Sequence, residues 1–172
     1  MTKSLFSFPN PVNEVSARLV AGGVVILSVA SIALDQPWLT AVIAYGFVAR
    51  VLTGPKLSPL GLLATRVITP RLPVREKLVP GAPKRFAQGI GAALTVTASV
   101  LALGFGQHGA AYVVLGAVVV AATLESVFAF CVGCTIFGWL MRLRLVPEAV
   151  CAECNDIWNR APAARPVQPR AR

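Results

Sequence analysis

Charge is what this chain has least of. Only 13% of its 172 residues are Asp, Glu, Lys or Arg, where a soluble domain carries about 25%. Acids are scarcer than bases, 7 against 16. Asp35 is the only formal charge between Leu19 and Ala49, and Glu125 the only one between Phe86 and Met141. A chain this short of charge cannot cover the surface of a soluble globule. There is one histidine, His108, in the link farthest from the cysteines, so a mixed Cys/His metal site is not expected. No glycine-rich phosphate loop is present, which leaves nucleotide chemistry of that kind without its cradle. The opening residues, Met1 to Pro11, lack an apolar core with a small-residue cleavage site behind it. The first apolar helix is therefore expected to act as its own insertion signal.

What the chain does have is apolar length. Hydrophobic residues make up 56%, gathered into runs that suit a bilayer rather than a soluble core. The expectation is an all-α integral membrane four-helix bundle in one domain, residues 1–158, with spans near 15–34, 37–53, 85–106 and 110–141. Asn13 is placed to cap a first helix starting at Glu14. Gly22-Gly23 offers a face that another helix can approach closely. Pro37 suits the start of the second span, with Trp38 as an interfacial anchor. Residues 54–84 hold six prolines and six bases and read as a loop. Within it, Leu60, Leu63, Ala64, Val67 and Ile68 recur at helical spacing, predicting an amphipathic interfacial helix over 59–69. After Pro147 a short helix over 147–158 is expected, then a disordered basic tail over 159–172.

The net charge of +9 raises nucleic acid as a partner, but the positions of the bases favour topology. Lys3 and Arg18 precede or open the first span, eight bases lie from Arg50 to Arg85, and six follow Met141. The two short links between spans contain none. By the positive-inside rule both termini and the long loop face the cytoplasm of a bacterial inner membrane.

All four cysteines lie in two C-x-x-C pairs, Cys131/Cys134 and Cys151/Cys154, sixteen residues apart. Each pair sits on one helix face. Three readings stay open. One is thiol–disulfide or sulfane-sulfur exchange, with the four thiols catalytic. A second is a non-enzymatic membrane module whose four cysteines hold a structural zinc, the spacing being that of four-cysteine zinc sites, or an iron–sulfur cluster. The third is chemically inert thiols. Glu125, deep in an apolar run, is a functional residue by default. Arg50, at the end of the second span, is its expected partner. Lys56, Arg66, Lys84 and Arg85 read as lipid-headgroup or anion contacts, which keeps a small anion transport subunit in view.

Several stretches taken together, Asn10-Pro11-Val12, Arg50 with Gly54-Pro55 and Ser58-Pro59, Lys84-Arg85-Phe86-Ala87, Glu125 and Phe130-Cys131-Val132-Gly133-Cys134, resemble a bacterial integral-membrane family designated domain of unknown function 4395. The resemblance covers about 10–134, and the second pair looks like an extension seen in some members. It implies a small four-helix membrane protein with C-x-x-C near the end of the last span. Similar proteins occur alongside thioredoxin-like or rhodanese-like domains, which implies thiol or sulfur chemistry and a soluble partner of that kind. No cofactor other than zinc, in the metal reading, is implied. The partners compatible with the sequence are the bilayer, such a soluble protein and a second copy of the chain; nucleic acid is not among them.

Overall fold

A computed structural model describes residues 11–73, 77–143 and 145. The second cysteine pair, the helix expected over 147–158 and the tail lie outside these residues. The described chain is helical throughout apart from links and one two-residue strand pair. It begins with β1 (Val12–Asn13), then α1 (Glu14–Ala33), α2 (Trp38–Thr53), a short α3 (Pro59–Leu62), β2 (Leu78–Val79), α4 (Gly81–Ser99), α5 (His108–Phe128) and α6 (Val132–Arg142). A π-helical stretch, Leu63–Ile68, and a 3₁₀ turn, Thr69–Arg71, prolong α3. Another π stretch, Val100–Gly104, prolongs α4.

Four helices are long and apolar enough to cross a membrane: Glu14–Ala33, Trp38–Arg71, Gly81–Gly104 and His108–Phe128. The protein is a multi-pass membrane protein. α1, α2, α4 and α5 close a ring in which α2 packs on α4, α4 on α5, α5 on α1 and α1 on α2. α6 lies along α4, and α3 with its prolongation lies over α1 and α2.

The ring is built from small and polar residues inside and large apolar residues outside. Ala21, Val24, Ile43, Leu115, Val118 and Ala122 form one buried cluster, and Ala98, Ala102 and Ala111 a second. Ser28, Ser31, Thr40 and Thr95 are fully buried with them. Ile26, Leu103, Val113, Val120 and Val127 point outward and are exposed. In lipid this costs nothing, because the tails are as apolar as leucine, and close helix contact comes from small side chains instead. Two buried threonines are tied to their own helices: Thr95 donates to Gly91 O at 2.7 Å and Thr53 to Ala49 O at 2.8 Å.

Local chemistry explains the element ends. Asn13 accepts the Val15 N–H at 3.0 Å and caps α1, as its side chain allows. Pro37 is the residue just before α2. Ser58 accepts the Gly61 N–H at 3.3 Å and opens α3. Two elements differ from expectation. α4 starts at Gly81 rather than at 85, because Pro83 falls in its first turn, where an N–H has no intrahelical partner to lose. Lys84 thereby moves from the loop into a helix. The apolar run expected as one span over 110–141 is two helices, α5 and α6, broken at residues 129–131.

Candidate functional site

The break between α5 and α6 builds the site. Ala129 ends α5 in the left-handed conformation, with φ of 56° and ψ of 21°. Its N–H and that of Phe130 both return to Leu124 O, a C-terminal cap of the kind glycine usually makes. Cys131 is then extended and is the N-cap of α6. Its Sγ accepts the Cys134 N–H at 3.4 Å, taking the place that a serine or aspartate oxygen fills at most helix starts. Cys131 O accepts both the N–H and the hydroxyl of Thr135. Both cysteines are free thiols and half-buried. α6, with 11 residues, is too short to cross a bilayer, so the pair sits at one end of the bundle.

Position and partners make the two thiols unequal. The Cys134 thiol hydrogen-bonds to Cys131 and pulls the Cys131 pKa below its ordinary value, against the opposing effects of burial and Glu125. Lys84 and the Cys134 N–H act in the same lowering direction. Cys134 is held well above the ordinary value, first by that hydrogen bond to Cys131 and then by burial and the neighbouring thiolate. A helix N-terminus and a nearby cation are what activate a thiol. Cys131 has the helix N-terminus, while the effect of Lys84 is outweighed by that of the Glu125 it pairs with, and Cys134 is the resting partner.

α6 reaches this position because Gly133 lets it lie on α4. A Cβ at Gly133 would come within 2.5 Å of the Ala87 Cα and Cβ, so any side chain there pushes the two helices apart. One helical turn before Ala87 is Lys84, whose Nζ pairs with Glu125 Oε1 at 2.5 Å. The Lys84 side chain is 9% exposed and that of Glu125 23%. A pair so placed is held by its own attraction, since either charge alone would be costly in the bundle.

This corrects two expectations. Glu125 pairs with Lys84 rather than Arg50, and Lys84 is a buried ion-pair partner rather than a headgroup contact. The early start of α4 is the reason, since it aims the lysine stem across at α5. Arg50 does point inward and is 3% exposed. Its Nη1 donates to Ser58 Oγ at 3.0 Å, and its guanidinium lies 4.4 Å from the centre of the Phe47 ring, a favourable cation–π distance. The other bases keep apart. Arg66 is exposed and Lys56 half-buried, and neither lines the central cavity. Arg85 donates to Val51 O at 3.1 Å and ties α4 to α2.

That cavity, about 280 Å3, lies inside the ring between α1, α2, α4, α5 and α6. Its walls are mostly apolar, among them Val24, Phe47, Leu94 and Val118. Its polar lining is Arg50, Lys84, Gln88, Glu125 and Cys131. Sequence reasoning missed Gln88, an ordinary residue of an apolar helix with no motif around it. Its signal was position: it stands one turn after Lys84, on the same face. Among the described residues no group of three or more His, Cys, Asp or Glu is placed to hold a metal ion. Cys151 and Cys154, which the four-cysteine reading requires, lie outside them.

The family model described as Domain of unknown function (DUF4395) matches residues 12–142. The chain belongs to this family. The match covers the ring, α6 and the Cys131/Cys134 pair, and leaves the second pair beyond its end. No curated protein and no solved structure matches the chain.

Proposed function

We propose that this DUF4395 member exchanges thiols and disulfides through Cys131 and Cys134, at the cytoplasmic face of a bacterial inner membrane with both termini inside. The observation that carries the reading is the seat of Cys131, whose sulfur caps α6 while its partner thiol stands one turn later. The thiolate of Cys131 attacks one sulfur of a partner disulfide. The partner S–S bond breaks, a mixed disulfide forms, and one partner sulfur leaves as a thiolate. Cys134 then attacks Cys131, the mixed disulfide breaks, and the second partner thiolate leaves. The two protons of the pair end on the partner. The reverse sequence oxidises a partner dithiol. Sulfane-sulfur transfer uses the same nucleophile: Cys131 takes the terminal sulfur of a partner persulfide and the partner keeps its thiol. Cys151 and Cys154 supply a second dithiol to exchange with the first. A soluble thioredoxin-like or rhodanese-like protein suits such a site.

The test is anaerobic purification in mild detergent, metal analysis, and incubation with an oxidised thioredoxin-like protein. Cys134→Ser is expected to trap a mixed disulfide through Cys131, and Cys131→Ser to abolish it. About one zinc per chain, with all four thiols protected until it is chelated, overturns the proposal in favour of the metal module. Thiols that are inert without metal also overturn it.

A further inference from the structure

Arg18 is a cation on a membrane helix with no acid set against it. It lies in the second turn of α1, and neither ion pair among the described residues includes it. Its Nε donates to Ser126 O at 3.0 Å and its Nη2 to Val127 O at 3.1 Å. These carbonyls belong to the last turn of α5, where a helix leaves acceptors open and favours a cation. The two bonds explain where the arginine points. They use two of the five N–H groups of a guanidinium and leave its full charge without a counter-charge. Arg18 is half-buried, and its bond to Val127 lies in an exposed position, so the side chain reaches the surface.

Arg18 stands in the wall of a groove of about 670 Å3 between α1, the last turn of α5 and α3 with its π-helical prolongation. Val15, Leu19 and Ile26 line it from α1, and Leu60, Leu63 and Ile68 from the facing side. Apart from Arg18, the one polar side chain in this lining is Ser126. Ile26 and Leu63 are both exposed, so the groove opens outward, where a membrane protein meets lipid. Val15 and Ile26 are about 16 Å apart along the helix axis. One leaflet of a bilayer has a hydrocarbon depth of about 15 Å, half of the core. The groove therefore starts at the end of the bundle where α1 begins and runs about to the midplane, with the cation in its outer part.

The lining and the charge narrow the occupant. An aqueous anion meets the arginine but gains nothing from the apolar walls. A helix from a second copy fills the walls and buries the arginine without a counter-charge, which is costly. A zwitterionic lipid brings a cation of its own. An anionic phospholipid supplies both a chain one leaflet long and a phosphate, and basic sites between membrane helices bind such headgroups. We propose that the groove holds one acyl chain of an anionic phospholipid, whose phosphate accepts hydrogen bonds from Arg18. The phosphate takes donors that the α5 carbonyls leave over. One side chain thereby joins the lipid to the segment that leads into the Ala129 turn. This site is independent of the thiol chemistry proposed above.

The test strips the full chain of lipid in mild detergent and titrates it with phosphatidylglycerol or with phosphatidylethanolamine of the same chains, reading bound lipid by native mass spectrometry. One phosphatidylglycerol per chain is expected, bound about fivefold or more tighter than phosphatidylethanolamine. Arg18→Gln should remove that preference. Leu63→Trp, which fills the groove and leaves Arg18 bonded to α5, should weaken phosphatidylglycerol by a similar factor with thermal unfolding unchanged, and it carries the test if Arg18→Gln fails to fold. Arg66→Gln removes an exposed base outside the groove and should change nothing. Equal losses in Arg66→Gln and Arg18→Gln would reveal a diffuse basic surface and overturn the site. Equal binding of the two lipids, or phosphatidylglycerol binding that ignores Leu63→Trp, overturns it as well. A dimer that forms without lipid and parts in Leu63→Trp gives the groove to a second copy of the chain instead.

Discussion

Two non-glycine residues of the described chain adopt the left-handed conformation, one at each end of the bundle: Asp35 with φ of 49° and Ala129 with φ of 56°. Asp35 turns α1 into α2. Aspartate tolerates this region because its short side chain bonds locally, and here Asp35 Oδ1 accepts the Tyr112 hydroxyl at 2.7 Å in an exposed position. The far end is an ordinary turn. Ala129 has no such relief, and an alanine in this region costs about 1 kcal/mol or more. The surrounding structure holds it there, and the residue that follows the strained turn by two positions is the nucleophile candidate Cys131. Local strain that the fold maintains tends to collect where a side chain must be aimed. The polar groups divide the same way. At the far end the ionisable side chains, Asp35 and His108, lie exposed. At the near end Arg50 and Lys84 are buried, and Lys84 with the half-buried Glu125 stands beside the thiols.

The contrast can be broken first at the ion pair. Lys84→Met leaves Glu125 without its partner. A fully buried pair broken on one side costs about 3–5 kcal/mol; with Glu125 partly exposed, about 2 kcal/mol is expected, read as thermal unfolding in detergent. The double variant Lys84→Met/Glu125→Leu should recover most of that loss. Single changes at the two positions move Cys131 in opposite directions. Lys84 lowers its pKa and Glu125 raises it, and the thiolate is present only above the pKa. Alkylation of Cys131 in wild type should therefore rise with pH at a lower midpoint than that of a free cysteine peptide in the same detergent. The midpoint should shift up in Lys84→Met and down in Glu125→Gln.

A milder test compares two glycines. Gly133→Ala forces α6 off α4 and should cost about 1–3 kcal/mol, as overpacking does, while raising the Cys131 midpoint as Lys84 moves away. A Cβ at Gly109, in the first turn of α5 at the far end, meets no atom within 4 Å. Gly109→Ala should stabilise by about 0.4–1 kcal/mol. The smallest effect belongs to the two left-handed residues. Ala129→Gly relieves strain and should stabilise by at most about 1 kcal/mol. Asp35→Gly loses the Tyr112 contact and should be neutral or slightly harmful. Equal gains at both sites would remove the distinction between an aimed turn and an ordinary one.

The sequence made the scaffold readable because membrane helices are written in composition. Four apolar stretches, the Asn13 cap and the proline before α2 all have local causes. The break at 129–131 does not. Phe128-Ala129-Phe130 contains neither glycine nor proline, and a cysteine is not among the usual capping residues. The kink comes from α6 docking on α4 through Gly133, a contact between residues far apart in the chain. The Lys84–Glu125 pair was hidden for a related reason. The prolines around Lys84 look like loop, and only a helix beginning at Gly81 points that side chain at α5. Arg50 was legible as an inward charge, but its neighbours Ser58 and Phe47 were not.

The small strand pair has a consequence for how the chain enters its membrane. Val12 pairs with Val79 and Asn13 with Leu78, Glu14 N–H donates to Lys77 O at 2.8 Å, and the Lys77 and Glu14 side chains meet at 2.7 Å. The threads leading into α1 and α4 are stitched together, so the first and third crossings must begin from the same side. Between them the polypeptide can make only an even number of passages. A single hairpin inserted upside down, or one helix left outside the bilayer, would part this seam. A few residues of β-structure thus act as a parity check on insertion, independent of the distribution of lysine and arginine.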